Sequence, residues 1–149
     1  MKGNIQEAPV LVLLQHMTHI FKQQSIPLFR KFGLTPGSAG ILFTLSKYGT
    51  MSQRELAERV GITPPSMTVA LKKMEKQNYI SREPDEKDQR IIRIRLLEKG
   101  EKCVVHVKQA IKQLEETAFE GVSQEEHLLL RRILIQMYQN LMKKQEREE

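Results

Sequence analysis

Residues 52–96, SQRELAERVGITPPSMTVALKKMEKQNYISREPDEKDQRIIRIRL, decide how this chain folds, because the spacing of their apolar positions changes part-way along. Ser52 and Glu55 have the spacing of a capping box, in which a hydroxyl and a carboxylate satisfy orphan amides at a helix start. The short helix that follows has Leu56, Ala57 and Val60 on its inner face and breaks at Gly61. Thr63 stands as the N-cap of the next helix, with Pro64 at its first position. There Met67, Ala70, Leu71 and Met74 form an inward stripe at i, i+3, i+4, i+7. Ser66, Val69, Lys73 and Lys76 then face outward, flanked by Thr68 and Lys72. Asn78 suits the left-handed residue that closes a helix. After Tyr79 the period drops to two. Ile92, Ile94 and Leu96 share one face of a strand over 90–96, and Arg93 and Arg95 share the other. Tyr79–Glu83 supplies its partner, and Pro84–Asp88 is the charged turn of the hairpin.

Helical spacing extends on both sides of this stretch. Val10, Leu13, Leu14, Met17, Ile20 and Phe21 mark a first helix, with Pro27 as a candidate kink. Gly33 and Thr35-Pro36 close it and open a second helix, which carries Ile41, Leu42 and Leu45 and stops near Gly49. Glu98 to about Glu120 is helical again through Val104, Val107, Ile111, Leu114 and Ala118, with Gly121 as its end. Ser123 and Glu126 form a second capping box, starting a helix through Leu130, Leu134, Met137 and Leu141. The charged residues Lys143–Glu149 are expected to fray.

Among the 149 residues 40% are hydrophobic and 28% charged, too apolar a mixture for a disordered chain and enough for one domain with a core. No run reaches the roughly 18 apolar residues of a membrane span. Val10–Leu14 lacks the basic start and cleavage site of a leader. With one cysteine, Cys103, no internal disulfide can form, and a cytoplasmic protein without a membrane partner is expected. The formal charge of +6 is uneven. Residues 1–50 carry five basic and one acidic residue, residues 51–100 eleven and eight, residues 101–149 eight and nine. A basic amino-terminal two-thirds raises the likelihood of a nucleic-acid partner.

Two adjacent helices joined by a glycine turn, followed by a charged hairpin, match a helix-turn-helix, whose second helix enters the major groove. That groove, about 12 Å wide, suits the small polar Ser66 and Thr68 followed by Lys72, Lys73 and Lys76, and Val69 suits a thymine methyl. The alternative is a solvated helix with ordinary surface lysines, in a helical dimer that serves as a protein–protein adaptor through its basic face. No nucleophile–base pair, phosphate-cradling glycine loop or apolar carboxylate pair is present to support an enzyme.

The string from Met51 to Ile80, joined to Arg82-Glu-Pro-Asp-Glu-Lys-Asp88-Gln-Arg90 and Leu97-Glu-Lys-Gly100, resembles the winged helix-turn-helix of MarR-type regulators over almost the whole chain. The resemblance implies a mainly α, α+β fold with a two-stranded wing over 79–96 and a helix-turn-helix motif over 52–75. These lie within a winged lobe of residues 35–96, flanked by helices over 1–34 and 97–145 that interlock two copies. It implies a homodimeric regulator of transcription, usually a repressor, on pseudo-palindromic double-stranded DNA. Carried over by position, Thr63, Pro65, Ser66, Thr68, Val69, Lys72, Lys73 and Lys76 read bases and phosphates. Arg82, Lys87 and Arg90 bind DNA from the wing, with Arg90 and Lys87 near a minor groove and Asp88 orienting Arg90. Ser52 and the Gln53 amide point toward a phosphate. The chain departs from the family pattern at Val69, where a basic residue is frequent, and at Asn78, where glycine is usual.

The family further implies an aromatic or phenolic effector, for which Met17, Phe21, Phe29, Phe32, Phe43 and Tyr48 are candidate contacts and, equally, plain core residues. No cofactor is expected. His16 and His19, and Cys103 and His106, stand in i, i+3 pairs that together could make a tetrahedral metal site in a metal-sensing regulator. Hydrogen-bonded structural roles account for the same residues. Cys103 on an inward face is expected to be inert rather than a peroxide sensor.

Overall fold

Capping signals in the sequence set most element boundaries of the computed structural model, which describes residues 5–148. A 3-10 turn at Ile5–Glu7 precedes α1 (Val10–Arg30), and α2 (Pro36–Tyr48) follows it. Then come β1 (Met51–Ser52), α3 (Gln53–Val60), α4 (Pro64–Lys76), β2 (Ile80–Pro84), β3 (Ile92–Leu96), α5 (Glu98–Ala118) and α6 (Gln124–Glu148). The chain divides into two compact units after Leu114.

In the first unit, Thr35 caps α2 by accepting from the Ser38 amide, and Ser52 and Glu55 complete their reciprocal box at the start of α3. Gly61 closes α3 in the left-handed conformation at φ 71°, where a side chain would be strained. Asn78 adopts the same region at φ 59°. Thr63 holds the N-cap position of α4, but its hydroxyl makes no cap bond; it donates to Ser66 Oγ at 3.0 Å instead. Pro27 lies within α1, which runs through it to Arg30.

The sheet has three strands rather than the expected two, in the order β1-β3-β2 and all antiparallel. Met51 pairs with Ile94 and Ser52 with Arg93, while β2 runs from Ile80 opposite Leu96 to Pro84 opposite Ile92. Arg90 and Ile91, expected at the start of the strand, belong to the turn.

The core sits between α2, α3, α4 and this sheet. Ile41, Leu42, Leu56, Met67, Leu71, Met74 and Ile94 are fully or almost fully buried. Tyr79 joins the flanking helices to it. Its hydroxyl donates to the Phe32 carbonyl at 2.7 Å, and its own carbonyl accepts from the Leu97 amide at 3.0 Å. Gly100 passes so close that a Cβ there would overlap the Tyr79 carbonyl oxygen. The first half of α1 contributes no buried residue; only Ser25 and Phe29 of that helix are buried.

The second unit begins in the last turn of α5, which ends at Ala118, and Gly121 turns the chain at φ 78°. Ser123 and Glu126 form the second capping box, through Ser123 N to Glu126 Oε2 at 2.9 Å and Glu126 N to Ser123 Oγ at 3.2 Å. Phe119 and His127 meet edge to face across this turn. The expected fraying of 143–149 does not occur over the described residues: α6 is helical through Glu148, and Glu149 lies outside them.

Candidate nucleic-acid interface

Two faces of α4 divide the labour. Met67, Leu71 and Met74 are wholly buried, which forces Pro65, Ser66, Val69, Lys72, Lys73 and Lys76 into solvent. Val69 is 70% exposed, an isolated apolar side chain between polar ones. Thr68 is half-buried and engaged. Its hydroxyl donates to the Pro64 carbonyl at 3.1 Å and accepts from Gln53 Nε2 at 3.1 Å.

Gln53 was expected to face a phosphate. The structure ties both ends of its amide inside the protein, because Oε1 also accepts from Arg82 Nη2 at 3.4 Å. Arg82, expected on the wing surface, turns inward at 21% side-chain exposure and lies 3.7 Å from Glu75 of α4. The Ser52 hydroxyl accepts from the Glu55 amide within the capping box.

The wing is built on carboxylates. Asp85 accepts from the Lys87 and Asp88 amides at 3.0 and 3.1 Å and pairs with Arg93 Nε at 2.8 Å. The Arg93 hydrogen bond, then the two amides, hold the Asp85 carboxyl below the usual carboxylate range. Asp88 grips Arg90 through both oxygens, at 3.0 and 3.2 Å, and Arg90 lowers its pKa in turn. The Arg90 side chain is still 91% exposed, a guanidinium aimed by its neighbour and open to solvent. Lys87 is exposed beside it.

Arg93 extends this order to α3. Besides Asp85 it lies 3.6 Å from Glu55, the capping-box carboxylate, whose pKa is lowered chiefly by the Ser52 amide, then by its hydroxyl. Asp85, Arg93 and Glu55 therefore join the wing to the helix-turn-helix. Sequence reasoning left Asp85 and Arg93 without a role; their only signal was an arginine on the solvent side of a strand opposite an acidic turn. Between these parts lies an open cavity of about 1200 Å³, bordered by Ser52, Thr63, Arg90 and Arg93. A smaller one of about 440 Å³ lies by Leu45, Gly49 and Arg95.

The candidate effector residues are dispersed, and none lines either cavity. Phe29 is core, with Phe32 and Phe43 packed on it. Met17, Phe21 and Tyr48 are exposed, and Tyr48 lies under the Arg59 guanidinium at 4.5 Å. The metal candidates do not converge: no group of three or more His, Cys, Asp or Glu able to hold an ion exists among the described residues. His106 stacks on Phe32 at 4.7 Å, Cys103 is buried with its thiol pKa pushed up by desolvation, and His16 and His19 stay on α1.

A buried-faced second helix, a glycine-turned first helix and a sheet that projects a charged loop define a winged helix-turn-helix protein. Residues 34–92 match the MarR family model. The chain is 30% identical over 88 residues to the HTH-type transcriptional repressor MdtR of Bacillus subtilis, a match covering 59% of this chain and 57% of that one. It is 25% identical over 131 residues to the uncharacterised HTH-type transcriptional regulator YsmB of the same organism, covering 88% of this chain and 90% of the relative. In fold it is similar to the transcriptional regulator SlyA, with a TM-score of 0.86 at 22% identity over 95% of this chain and 100% of that one. The Staphylococcus aureus MepR–DNA complex gives 0.80 at 24% over 90% and 99%. Residues 34–92 are thus similar to the MarR family, and the relatives named here are HTH-type transcriptional regulators. Among the described residues no helix is long and apolar enough to cross a membrane.

Proposed function

We propose that this chain is a homodimeric repressor that binds pseudo-palindromic duplex DNA through α4 and the wing and is released by a small aromatic or phenolic effector. The observation that carries the DNA reading is the face of α4 opposite its buried methionines and leucine, where Ser66, Val69, Lys72, Lys73 and Lys76 stand free of the core. Lys72, Lys73 and Lys76 neutralise phosphates, Ser66 and Val69 meet base edges, and Arg90 with Lys87 enters the flanking minor groove. The name of MdtR supports the repressor role.

Dimerisation is supported by apolar surface that one chain leaves uncovered. Among the described side chains of α6 none is buried, and Leu128, Leu130, Leu134 and Leu141 are exposed along it. Val10, Leu11, Met17, Ile20 and Phe21 do the same on α1. Patches of this kind mark interfaces. Paired copies present two α4 helices to major grooves about 34 Å apart.

Selection from a random duplex pool tests the reading. Enriched sites are expected to be pseudo-palindromes, bound with a steep fall of log K against log salt. Replacing Lys72 and Lys73 by Ala, which removes two phosphate contacts from each of two copies, is expected to flatten that slope by about 3.6 and weaken all duplexes alike. A pool without enrichment, or affinity untouched by both replacements, overturns it.

A further inference from the structure

Arg82 lies on β2 behind the recognition helix, and its Nε is buried without a hydrogen-bond partner among the described residues. Its two terminal nitrogens diverge. Nη2 donates to Gln53 Oε1 at 3.4 Å, and Nη1 lies 3.7 Å from Glu75 Oε2. Gln53 Nε2 donates to Thr68 Oγ1 at 3.1 Å, and Thr68 Oγ1 donates to the Pro64 carbonyl at 3.1 Å. This path begins near the end of α4 at Glu75 and returns to its first turn, passing through β2 and the first residue of α3.

We propose that Arg82 is a positioning residue of the DNA interface, which holds Gln53 on Thr68 and Glu75 on β2 and so fixes the roll of α4 against α3. The proposal rests on the DNA-binding reading and deepens it. The Thr68 hydroxyl gives its one proton to the Pro64 carbonyl and has none left for a base, and the Gln53 amide is turned to Thr68 and Arg82 with only its second N–H unengaged. Discrimination therefore falls chiefly to Ser66 and Val69, whose reach depends on the roll of the helix. Base-edge bonds need heavy atoms about 3 Å apart in good alignment, whereas lysine ammoniums on long stems follow a phosphate through small shifts. Losing Arg82 should thus blunt sequence preference and leave general affinity standing.

The competing role, Arg82 as a phosphate ligand, differs in its salt signature. A phosphate ligand contributes about 0.9 to the log–log salt slope, and a positioning residue contributes nothing. The test measures Kd across a KCl series for the full chain on a selected duplex and on a scrambled duplex of equal length. Wild type, Arg82→Met, Gln53→Ala and the double variant are compared, with thermal melts as a check of folding. Arg82→Met is expected to lower the preference for the selected duplex about 10-fold, the scale of one mismatched base pair, with the slope unchanged. Gln53→Ala should do the same, and the double variant should be no worse than either, since both break one path. A slope lower by about two (about 0.9 from each copy) with preference intact overturns the proposal, as do unchanged preference or losses that add. If Arg82→Met does not fold, Gln53→Ala alone decides, and unchanged preference overturns. If wild type prefers no duplex, the DNA-binding reading itself has failed, and this is seen before any variant is made.

Discussion

The winged lobe and α6 spend their apolar residues in opposite ways. Ile41, Leu42, Leu56, Met67, Leu71 and Ile94 vanish into the lobe, while α6 has leucines along 25 residues and buries none. Both helices α4 and α6 are amphipathic with proper caps or first-turn signals, so local propensity does not separate them. What separates them is the presence of covering surface within the same chain. The lobe closes over its apolar side chains, whereas α6 leaves Leu128, Leu130, Leu134 and Leu141 exposed.

That contrast is open to direct attack. Leu71→Ala is expected to cost about 2–5 kcal/mol, because it leaves a cavity in a closed core, and the loss should not depend on protein concentration. Leu134→Ala is expected to act through association instead, lowering Tm more at low protein concentration than at high. Equal, concentration-independent losses in thermal melts would erase the distinction. Gly100→Ala should come next, at about 1–3 kcal/mol, since its methyl group would meet the Tyr79 carbonyl at the join between α5 and the lobe.

The smallest effect concerns the wing. Asp85 and Asp88 both have pKa values below their ordinary range in the folded chain, so folding favours their ionised forms. Their contribution is therefore present above about pH 4, the unfolded range, and is lost as pH falls through the lower folded values. Amide exchange at Lys87 and Asp88 should be insensitive to pH-dependent opening from 7 to 5, after correction for intrinsic rates. Protection should then fall on further acidification, while the buried amides of α2 hold longer. Simultaneous loss in both places would show that the wing has no separate order.

The parts legible in the sequence are those decided within a few residues of themselves. The capping boxes at Ser52 and Ser123, the cap at Thr35 and the left-handed Gly61 and Asn78 are all local in origin, and the structure has them. The buried stripe of α4 is also local, since helix period alone places Met67, Leu71 and Met74 together. Partners far along the chain were not legible. Two-residue β1 has no period to read and exists because Met51 meets Ile94. Gln53 and Arg82 are separated by 29 positions, so a surface role for each was the natural expectation until the fold brought them together. Asp85 and Arg93 escaped notice for the same reason.

The grip of Asp88 on Arg90 has a consequence for which anions the wing can hold. The loop carries its own counterion, a half-buried carboxylate in bidentate contact with an arginine that is almost wholly in water. Any incoming polyanion must outcompete a tethered carboxylate that never diffuses away. Isolated phosphates and sparse acidic surfaces compete poorly with it, and a narrow groove walled by two phosphate rows competes well. The aspartate is thus a threshold as well as a brace.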